Sequence, residues 1–313
     1  MSSILVQSPG LLTTVQDLGR HGFGTIGVSP SGAADPVSLR LGNRLVANPE
    51  NAAALEMTLL GGTFAFQERA IVALTGSDFG ATIDDAAIAP GKSVQVRSGQ
   101  TLRLGPTRSG ARCYLCVHGG IAVPPFLGSA STHLLSGLGG FEGRALRKGD
   151  VLSIGPATKP FRERVLSGRI MERLSPRSVV RVTPGPQADW FDKETLRAFC
   201  AATYRVGEQS NRMGIRLEGP PVPQQIARPM ITEGVSLGAV QVPTGGLPII
   251  LFVEQQTTGG YPKIANVISA DLHRLGQLRP RDEIRFEQVT FEAARSLLIE
   301  QEKLLASCEA IVE

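Results

Sequence analysis

The chain has 313 residues, of which 42% are hydrophobic and 19% charged, and its formal net charge is +4 at pH 7. Its 36 glycines and 21 prolines indicate many turns, but their share is below the roughly 25–30% typical of low-complexity chains. At about 150 residues per domain, the length favours two domains with sizeable cores. Composition therefore excludes intrinsic disorder, collagen-like repeats and a long coiled coil.

Charge and hydropathy also limit the location and the partners. The longest apolar runs, such as residues 247–253, are far shorter than the roughly 18–20 residues that span a bilayer. The N-terminus lacks the basic and apolar regions of a signal peptide, so we expect a cytoplasmic protein without a membrane span. The 32 basic and 28 acidic residues form no cluster, and we therefore expect no nucleic-acid binding.

Short β-prone runs separated by glycine or proline occur along the whole chain. Many short strands at close spacing are typical of sandwiched or closed β-sheets rather than of parallel βαβ units. Cys113 and Cys116 form a CxxC pattern inside one such run, where positions three apart face opposite sides of a strand, so we expect no metal site there. The predicted strands are 4–6, 63–66, 70–74, 94–96, 101–104, 113–117 and 151–154, then 179–183, 249–253 and 283–286, with further strands between 204 and 242.

Helices are fewer but carry clear signals. Asp35 is a suitable N-cap for a helix that has Pro36 as its first residue. Further helices are predicted over 193–202, over about 269–276 and over 291–308. In the last of these, Phe291, Ala294, Leu298, Leu305 and Cys308 lie near one stripe, which would dock on its own domain or serve a partner.

The two halves of the chain share a short repeat. Residues 146–154 and 278–286 match by type at five positions, and each predicts a turn that leads into a half-buried strand. The Arg-rich and Pro-bounded stretch between the halves has the composition of a solvated linker. We therefore predict one domain over 1–155, a linker over 156–178, and a second domain over 179–313.

Two glycine pairs next to strands are candidate binding elements. Gly119-Gly120 follows His118 and the strand 113–117, and Gly259-Gly260 lies in the polar run 255–263. Paired glycines let a backbone approach a ligand and expose N–H groups to an oxyanion. The alternative is that both pairs form tight turns; the density of polar side chains around Gly259-Gly260 makes the two interpretations comparable there.

Two further polar segments have both a functional and a structural interpretation. In residues 210–219, Arg212, Arg216 and Glu218 share one side if the segment is extended. They could bind an anion or form an ion-pair ladder on a sheet surface. His21 lies in a loop beside Asp17 and Arg20, where it could act as a general base or be an ordinary surface histidine.

The sequence contains none of the common phosphate-loop, dinucleotide, nucleophile-elbow or HExxH motifs, but its segments resemble a known family in order and spacing. It is similar to the biotin-dependent carboxyltransferase, or allophanate hydrolase subunit 2-like, family from about residue 4 to 290. The segments that carry the resemblance include Thr13-Thr14-Val15-Gln16-Asp17-Leu18-Gly19-Arg20, Gly32-Ala33-Ala34-Asp35, Ala54-Leu55-Glu56, Gly128-Ser129-Ala130-Ser131-Thr132, Gly185-Pro186, Ser210-Asn211-Arg212-Met213-Gly214, Gln241-Val242-Pro243 and Thr257-Thr258-Gly259-Gly260-Tyr261-Pro262.

The resemblance implies a mainly β fold with two cyclophilin-like β-barrel domains, few short helices and a C-terminal helix. It implies a partner of the KipI-like, allophanate hydrolase subunit 1 type, and a third subunit for activity. Two positions depart from the family pattern: Glu254 replaces an expected Asp, and Arg281 replaces the glycine of a Pro-Gly-Asp turn, which we expect to alter that turn.

The activity that the resemblance favours is ATP-dependent opening of the 5-oxo-L-proline lactam to glutamate, with ATP as co-substrate of the complex. Two alternatives stay open: a carboxyltransferase that acts on urea or a similar amide, and a non-enzymatic KipA-type antagonist of a kinase inhibitor. No lysine follows a methionine, so biotin would have to be carried on another chain.

Residue chemistry leads to the expected site roles. Lys263, Tyr261 and His21 are the candidate catalytic residues, no metal ligands are expected, and Arg212 is the candidate clamp for the substrate carboxylate. The other candidate substrate-binding residues are Gln241, Gln256, Thr258, Gly259, Gly260, His118, Gly119 and Gly120.

Overall fold

A computed structural model describes residues 2–157, 159–174, 178–224, 230–307 and 310–312. The chain divides into two compact units, the first formed by Met1–Arg20, Ser31–Pro176 and Leu304–Glu313 and the second by His21–Pro30 and Arg177–Lys303. With elements numbered in chain order, the first unit contains β1 (Ser3–Ser8), β2 (Leu12–Gln16), α1 (Pro36–Leu45), β3 (Ala54–Thr58), β4 (Thr63–Phe66), β5 (Ala70–Gly76), β6 (Thr82–Ile83), β7 (Ala86–Ala87), β8 (Ser93–Val96), β9 (Thr101–Arg103), β10 (Arg112–Val117), β11 (Ile121–Ala122), β12 (Val151–Ile154), β13 (Val165–Leu166), α2 (Gly168–Leu174) and β23 (Ile311–Val312).

Two antiparallel sheets build the first unit. One has seven strands in the order β11-β12-β1-β4-β9-β6-β7, and the other has five in the order β2-β3-β10-β5-β8. Alternate residues of both sheets meet in one core, among them Ile4 and Phe64 from the first sheet and Leu55 and Leu115 from the second. The alternation of apolar and polar residues along these strands therefore determines which face of each sheet is buried.

Strand β10 is buried on both faces, which explains the apolar run from Cys113 to Val117. Cys113 lies in the core between the sheets, whereas Cys116 faces a second cluster that includes Leu39 and Leu41 of α1. The two cysteines thus face opposite sides, as the sequence predicts. Burial raises the pKa of both thiols above the ordinary value, so both are neutral packing groups at pH 7.

Helix α1 begins as predicted. Asp35 accepts a hydrogen bond from the backbone N–H of Ser38 at 2.9 Å and another from the Ser38 hydroxyl at 2.6 Å, and Pro36 is the first helical residue. This cap satisfies donors that a helix start would otherwise leave unpaired.

A buried network centred on Tyr114 connects β10, β3 and the start of α1. The Tyr114 hydroxyl donates to Glu56 Oε2 at 2.7 Å and accepts from the backbone N–H of Asp35 at 2.7 Å. Glu56 Oε2 also accepts from the N–H of Ala34 at 2.8 Å. Burial, followed by the neighbouring Glu56 carboxylate, raises the pKa of Tyr114 well above its ordinary value, so the hydroxyl stays protonated and can donate.

We expect Tyr114→Phe to destabilise the first unit by about 1–3 kcal/mol, because a buried N–H and a buried carboxylate each lose one hydrogen bond. Calorimetric thermal unfolding would measure the change. Tyr204→Phe is the matched control, since Tyr204 is equally buried but its hydroxyl forms no hydrogen bond with residues that the structure describes. Equal transition temperatures for the two variants would contradict the role of the network.

Asp17 organises a second buried network in the first unit. Its Oδ1 accepts from the N–H of Gly19 at 2.8 Å and from the hydroxyls of Ser129 at 2.6 Å and Ser131 at 2.5 Å, and its Oδ2 accepts from the N–H of Ala130 at 2.6 Å. Two segments that carried the family resemblance, 13–20 and 128–132, therefore meet at one carboxylate.

Residues 165–174 differ from the solvated linker predicted over 156–178. They form β13 and α2, and β13 pairs with β23, with Val165 opposite Val312. Leu166 and Ile170 are buried with Leu305 in the cluster that also contains α1. The apolar residues of this Arg-rich stretch thus pack within the first unit, and strand β23 near the end of the chain also belongs to that unit.

The second unit contains a closed barrel with the strand order β14-β21-β18-β19-β16-β15-β22 and a separate two-stranded sheet, β17-β20. All its strand pairs are antiparallel except β14–β22. Its elements are β14 (Val179–Pro184), α3 (Lys193–Ala201), β15 (Tyr204–Val206), β16 (Gly214–Glu218), β17 (Glu233–Gly234), β18 (Ala239–Gln241), β19 (Ile249–Leu251), β20 (Thr258–Gly259), β21 (Lys263–Val267), α4 (Leu272–Leu275), β22 (Glu283–Gln288) and α5 (Phe291–Ala306), whose last residues belong to the first unit.

The short sequence repeat corresponds to two turns with the same hydrogen bonds. The N–H of Arg147 donates to Asp150 at 2.7 Å, and the N–H of Arg279 donates to Asp282 at 2.8 Å. The turn expected to change at Arg281 is kept, because Arg281 adopts a φ of +74° where the first copy has Gly149 at +93°. The Arg281 side chain pairs with Glu208 at 2.7 Å.

The C-terminal helix is present as α5, Phe291–Ala306, and the predicted end at Cys308 lies outside the described residues. Leu305 is buried as the apolar stripe predicts, but Phe291 is exposed. Ala294 and Leu298 are half-buried, so burial of the stripe increases from the first turn towards the C-terminal end of the helix. The fold is mainly β with few helices, which confirms the fold class expected from the sequence.

Candidate functional site

Lys263 differs from the other lysines of the chain because it is buried. The sequence contains six lysines, and the other five are exposed, whereas Lys263 is 2% exposed. It is the first residue of β21, directly after Pro262, and its carbonyl accepts from the N–H of Gln187 at 3.2 Å. The structure thus places Lys263 in a barrel strand rather than in the glycine-rich loop that precedes it.

The Lys263 ammonium has a carboxylate partner on a neighbouring segment. Its Nζ lies 2.6 Å from Glu233 Oε1, on β17, and 3.5 Å from the backbone carbonyl of Tyr261. Gln187 Nε2 donates to the same Glu233 oxygen at 3.0 Å. Lys263 first, and then Gln187, lower the pKa of the Glu233 carboxyl below its ordinary value. Glu233 is therefore ionised at neutral pH and balances the buried cation.

Gln241 lies beside Lys263 on the next strand of the barrel. The two residues are directly opposite each other in the β18–β21 pairing, and side chains of such pairs share one face of a sheet. Gln241 Oε1 accepts from Gln256 Nε2 at 3.4 Å. Gln241 Nε2 is buried and has no hydrogen-bond acceptor among the residues that the structure describes.

Gly259 provides the space for the Gln241 amide. A Cβ at position 259 would lie 2.5 Å from Gln241 Nε2, which is closer than two such atoms can approach. Position 259 therefore requires glycine because there is no room for a side chain, and not because of its backbone conformation. Lys263, Gln241, Gln256 and Gly259, four of the candidate residues from the sequence, therefore lie together in the second unit.

Arg212 has a different environment from the one expected of a substrate clamp. It is 5% exposed, and its Nε donates to Glu254 Oε1 at 2.5 Å. Glu254 is also buried, and its N–H donates to the carbonyl of Arg212 at 2.8 Å. The guanidinium is thus paired inside the protein, and we do not place it in contact with substrate.

The other candidates of the second unit are exposed. Thr258 pairs through the backbone with Gly234, Gly260 follows strand β20, and Tyr261 is 47% exposed. His21 is exposed at the start of segment 21–30, and the contacts of Lys263 described above do not involve it.

His118, Gly119 and Gly120 belong to the first unit, where they form a tight turn. The N–H of Gly119 donates to Asn48 at 2.8 Å, and that of Gly120 donates to the carbonyl of Val117 at 2.8 Å. His118 Nδ1 lies 2.6 Å from the carbonyl of Val46. Both amides are used within the protein, so the turn interpretation agrees with the structure and the oxyanion interpretation does not.

Sequence reasoning missed Gln187 and Glu233. Gln187 follows Gly185-Pro186, a pair that the family resemblance includes, and this was the available signal. Gly185 is required there, because a Cβ would lie 2.2 Å from the Lys263 carbonyl oxygen. Glu233 is a single carboxylate in a loop, and no local pattern distinguishes it from a surface residue.

The chemistry that this site can perform follows from its donors. A buried ammonium and a buried amide N–H that lacks an acceptor both favour an oxygen that carries negative charge. Among the described residues, no three His, Cys, Asp or Glu side chains are arranged to hold a metal ion. The same part of the chain has no helix that is long and apolar enough to cross a membrane.

Comparison with known proteins agrees with this architecture. Residues 26–288 match the family model described as "carboxyltransferase domain, subdomain A and B". The chain is 42% identical over 294 residues to a 5-oxoprolinase subunit of Escherichia coli K12, covering 94% of each chain. It is 36% identical over 328 residues to urea amidolyase of Saccharomyces cerevisiae, covering 98% of this chain but 18% of that one.

A solved structure shows the same relationship. The crystal structure of K. lactis urea amidolyase superposes with a TM-score of 0.91 at 33% identity, over 99% of this chain and 21% of that one. The chain thus spans about a fifth of the length of the urea amidolyases it matches and nearly all of the bacterial subunit. The chain belongs to the family of carboxyltransferase domains with subdomains A and B.

Proposed function

We propose that this chain is a subunit of an ATP-dependent 5-oxoprolinase, which opens the lactam of 5-oxo-L-proline to L-glutamate. The supporting observation is the similarity to the 5-oxoprolinase subunit of Escherichia coli over 94% of both chains. Because that relative is named as one subunit of its enzyme, it works with other subunits. For this chain, we propose a KipI-like partner and a third subunit in the cytoplasm.

The site in the second unit supports an anionic or polarised substrate. An unstrained lactam is a poor electrophile, and phosphorylation of its carbonyl oxygen by ATP would create a leaving group that water displaces. Lys263 and Gln241 would supply preorganised donors for negative charge on the substrate. We propose ATP as co-substrate of the complex and assign no ATP contact to this chain.

The second candidate function is transfer of a carboxyl group to urea or a similar amide. It is favoured by the family description and by the similarity to urea amidolyases. Carboxybiotin would have to arrive on another chain, because no lysine follows a methionine in this sequence.

Reconstitution would separate these functions. We expect the chain to co-purify with its KipI-like partner and a third subunit, and ATP-dependent glutamate release from 5-oxo-L-proline to fall to background when this chain is omitted. Glutamate release that does not change on omission would contradict the proposal. Transfer from carboxybiotin to urea by the same preparation would support the carboxyltransferase instead.

A further inference from the structure

The ion pair between Lys263 and Glu233 joins two residues with very different exposure. The Lys263 side chain is 3% exposed and the Glu233 side chain 44%. A cation this buried needs a negative partner, but an exposed carboxylate can return to water at small cost. The lysine is therefore fixed in the barrel, whereas the glutamate is exchangeable.

The segment that carries Glu233 has few backbone connections. Strand β17 consists of Glu233 and Gly234 and pairs with the two residues of β20, in a sheet separate from the barrel. Lys263, in contrast, is part of the closed barrel and pairs with Gln241. Rotation of the Glu233 side chain would disturb no barrel hydrogen bond.

The buried amide of Gln241 gives independent evidence for a ligand. Its Nε2 is buried without an acceptor in the described chain, and burial of an unpaired amide N–H is unfavourable. The side chain is 2% exposed, and it lies opposite Lys263 on the same sheet face. Glu233 does not accept a hydrogen bond from Gln241. A ligand oxygen bound at Lys263 would provide the acceptor that Gln241 Nε2 lacks.

We propose that the Glu233 carboxylate is an internal substitute for a carboxylate of the substrate, which displaces it from Lys263 and also accepts from Gln241. The inference rests on the proposed function, because 5-oxo-L-proline carries one carboxylate and urea carries none. It moves the role of carboxylate clamp from Arg212, whose partner Glu254 is itself buried, to Lys263.

The exchange determines how mutations change binding. One carboxylate replaces another at Lys263, so the charge interaction nearly cancels, and the gain comes from Gln241 and from the rest of the ligand. Glu233→Gln removes the competing charge and leaves the buried Lys263 cation without its partner, so 5-oxo-L-proline should bind at least about fivefold more tightly, which is more than the loss of a solvent-exposed ion pair would give. Gln241→Met should weaken binding of the same ligand without destabilising the fold, since the amide nitrogen that it removes has no acceptor among the described residues and the bond from Gln256 to the amide oxygen is long, at 3.4 Å.

Isothermal titration of the isolated full-length chain tests the proposal without ATP or partners. The ligands are 5-oxo-L-proline and 2-pyrrolidinone, which has the same lactam but no carboxylate. We expect wild-type chain to prefer 5-oxo-L-proline, Glu233→Gln to tighten that ligand alone, and Gln241→Met to weaken it. Glu218→Gln is the matched control, because Glu218 is 47% exposed and pairs with Arg205 at 2.7 Å; it should change neither affinity.

Three outcomes would overturn the exchange: equal affinity for the two ligands, unchanged or weaker binding of 5-oxo-L-proline by Glu233→Gln, or no measurable binding by that variant. The test is independent of the proposed reaction. If the complex releases no glutamate but Glu233→Gln tightens 5-oxo-L-proline, the proposed activity is wrong and the carboxylate site stands.

Discussion

Replacing Lys263 with methionine is expected to lower kcat/KM for 5-oxo-L-proline in the reconstituted complex by about 10²–10³-fold, because the substrate carboxylate would then be buried without the cation that pairs with it. Methionine keeps much of the volume of the lysine stem but has no charge. Glu233, which loses its partner, is 44% exposed and can be hydrated. The loss should therefore appear in activity and not in folding.

Steady-state kinetics of glutamate release, with thermal unfolding of the same preparations, would measure both effects. Lys193→Met is the matched control, because Lys193 is an exposed lysine of the same unit at the start of α3. It should have wild-type kinetics. If Lys263→Met kept more than about a tenth of the wild-type kcat/KM, Lys263 would not be the buried cation that pairs with the substrate carboxylate.

Arg212→Met is expected to produce the largest loss of stability, about 3–5 kcal/mol, because it removes the cation that pairs with the buried Glu254 carboxylate. The double variant Arg212→Met with Glu254→Gln should recover part of this loss, since it also removes the buried negative charge. Urea unfolding followed by Trp190 fluorescence reports on the second unit specifically, because Trp190 is the sole tryptophan of the sequence and is buried in that unit.

An exposed ion pair provides the comparison. Arg205 and Glu218 lie 2.7 Å apart, and their side chains are 57% and 47% exposed, so Arg205→Met should cost only about 0–1 kcal/mol. Arg212→Met and Arg205→Met with the same unfolding midpoint would show that the Arg212–Glu254 pair is not a structural element. That result would reopen the assignment of Arg212 to the substrate.

The part of the site that was predictable from sequence is the part encoded in one continuous run. Residues 255–263 combine a glycine pair, polar side chains and a lysine, and their composition pointed to Gln256, Gly259 and Lys263. The role of Lys263 in a strand was missed because a five-residue strand directly after proline has too few residues to show an alternating pattern. Gln187 and Glu233 were missed because they are 76 and 30 positions from Lys263, and no local rule relates residues at such distances.

Sequence by itself determined the local elements that are stabilised by contacts between near neighbours: the Asp35 cap of α1, the alternation in β4 and β12, the turn between Arg147 and Asp150, and helix α5. It also determined the family, through motifs in a fixed order. Only the tertiary structure decided that residues 165–174, 304–307 and 310–312 belong to the first unit, that Arg212 pairs with Glu254, and that Glu233 meets Lys263. The physical reason is that burial and charge pairing depend on which distant strands become neighbours. Which strands become neighbours depends on the complete barrel and sheets, and it cannot be inferred from any single segment of the sequence.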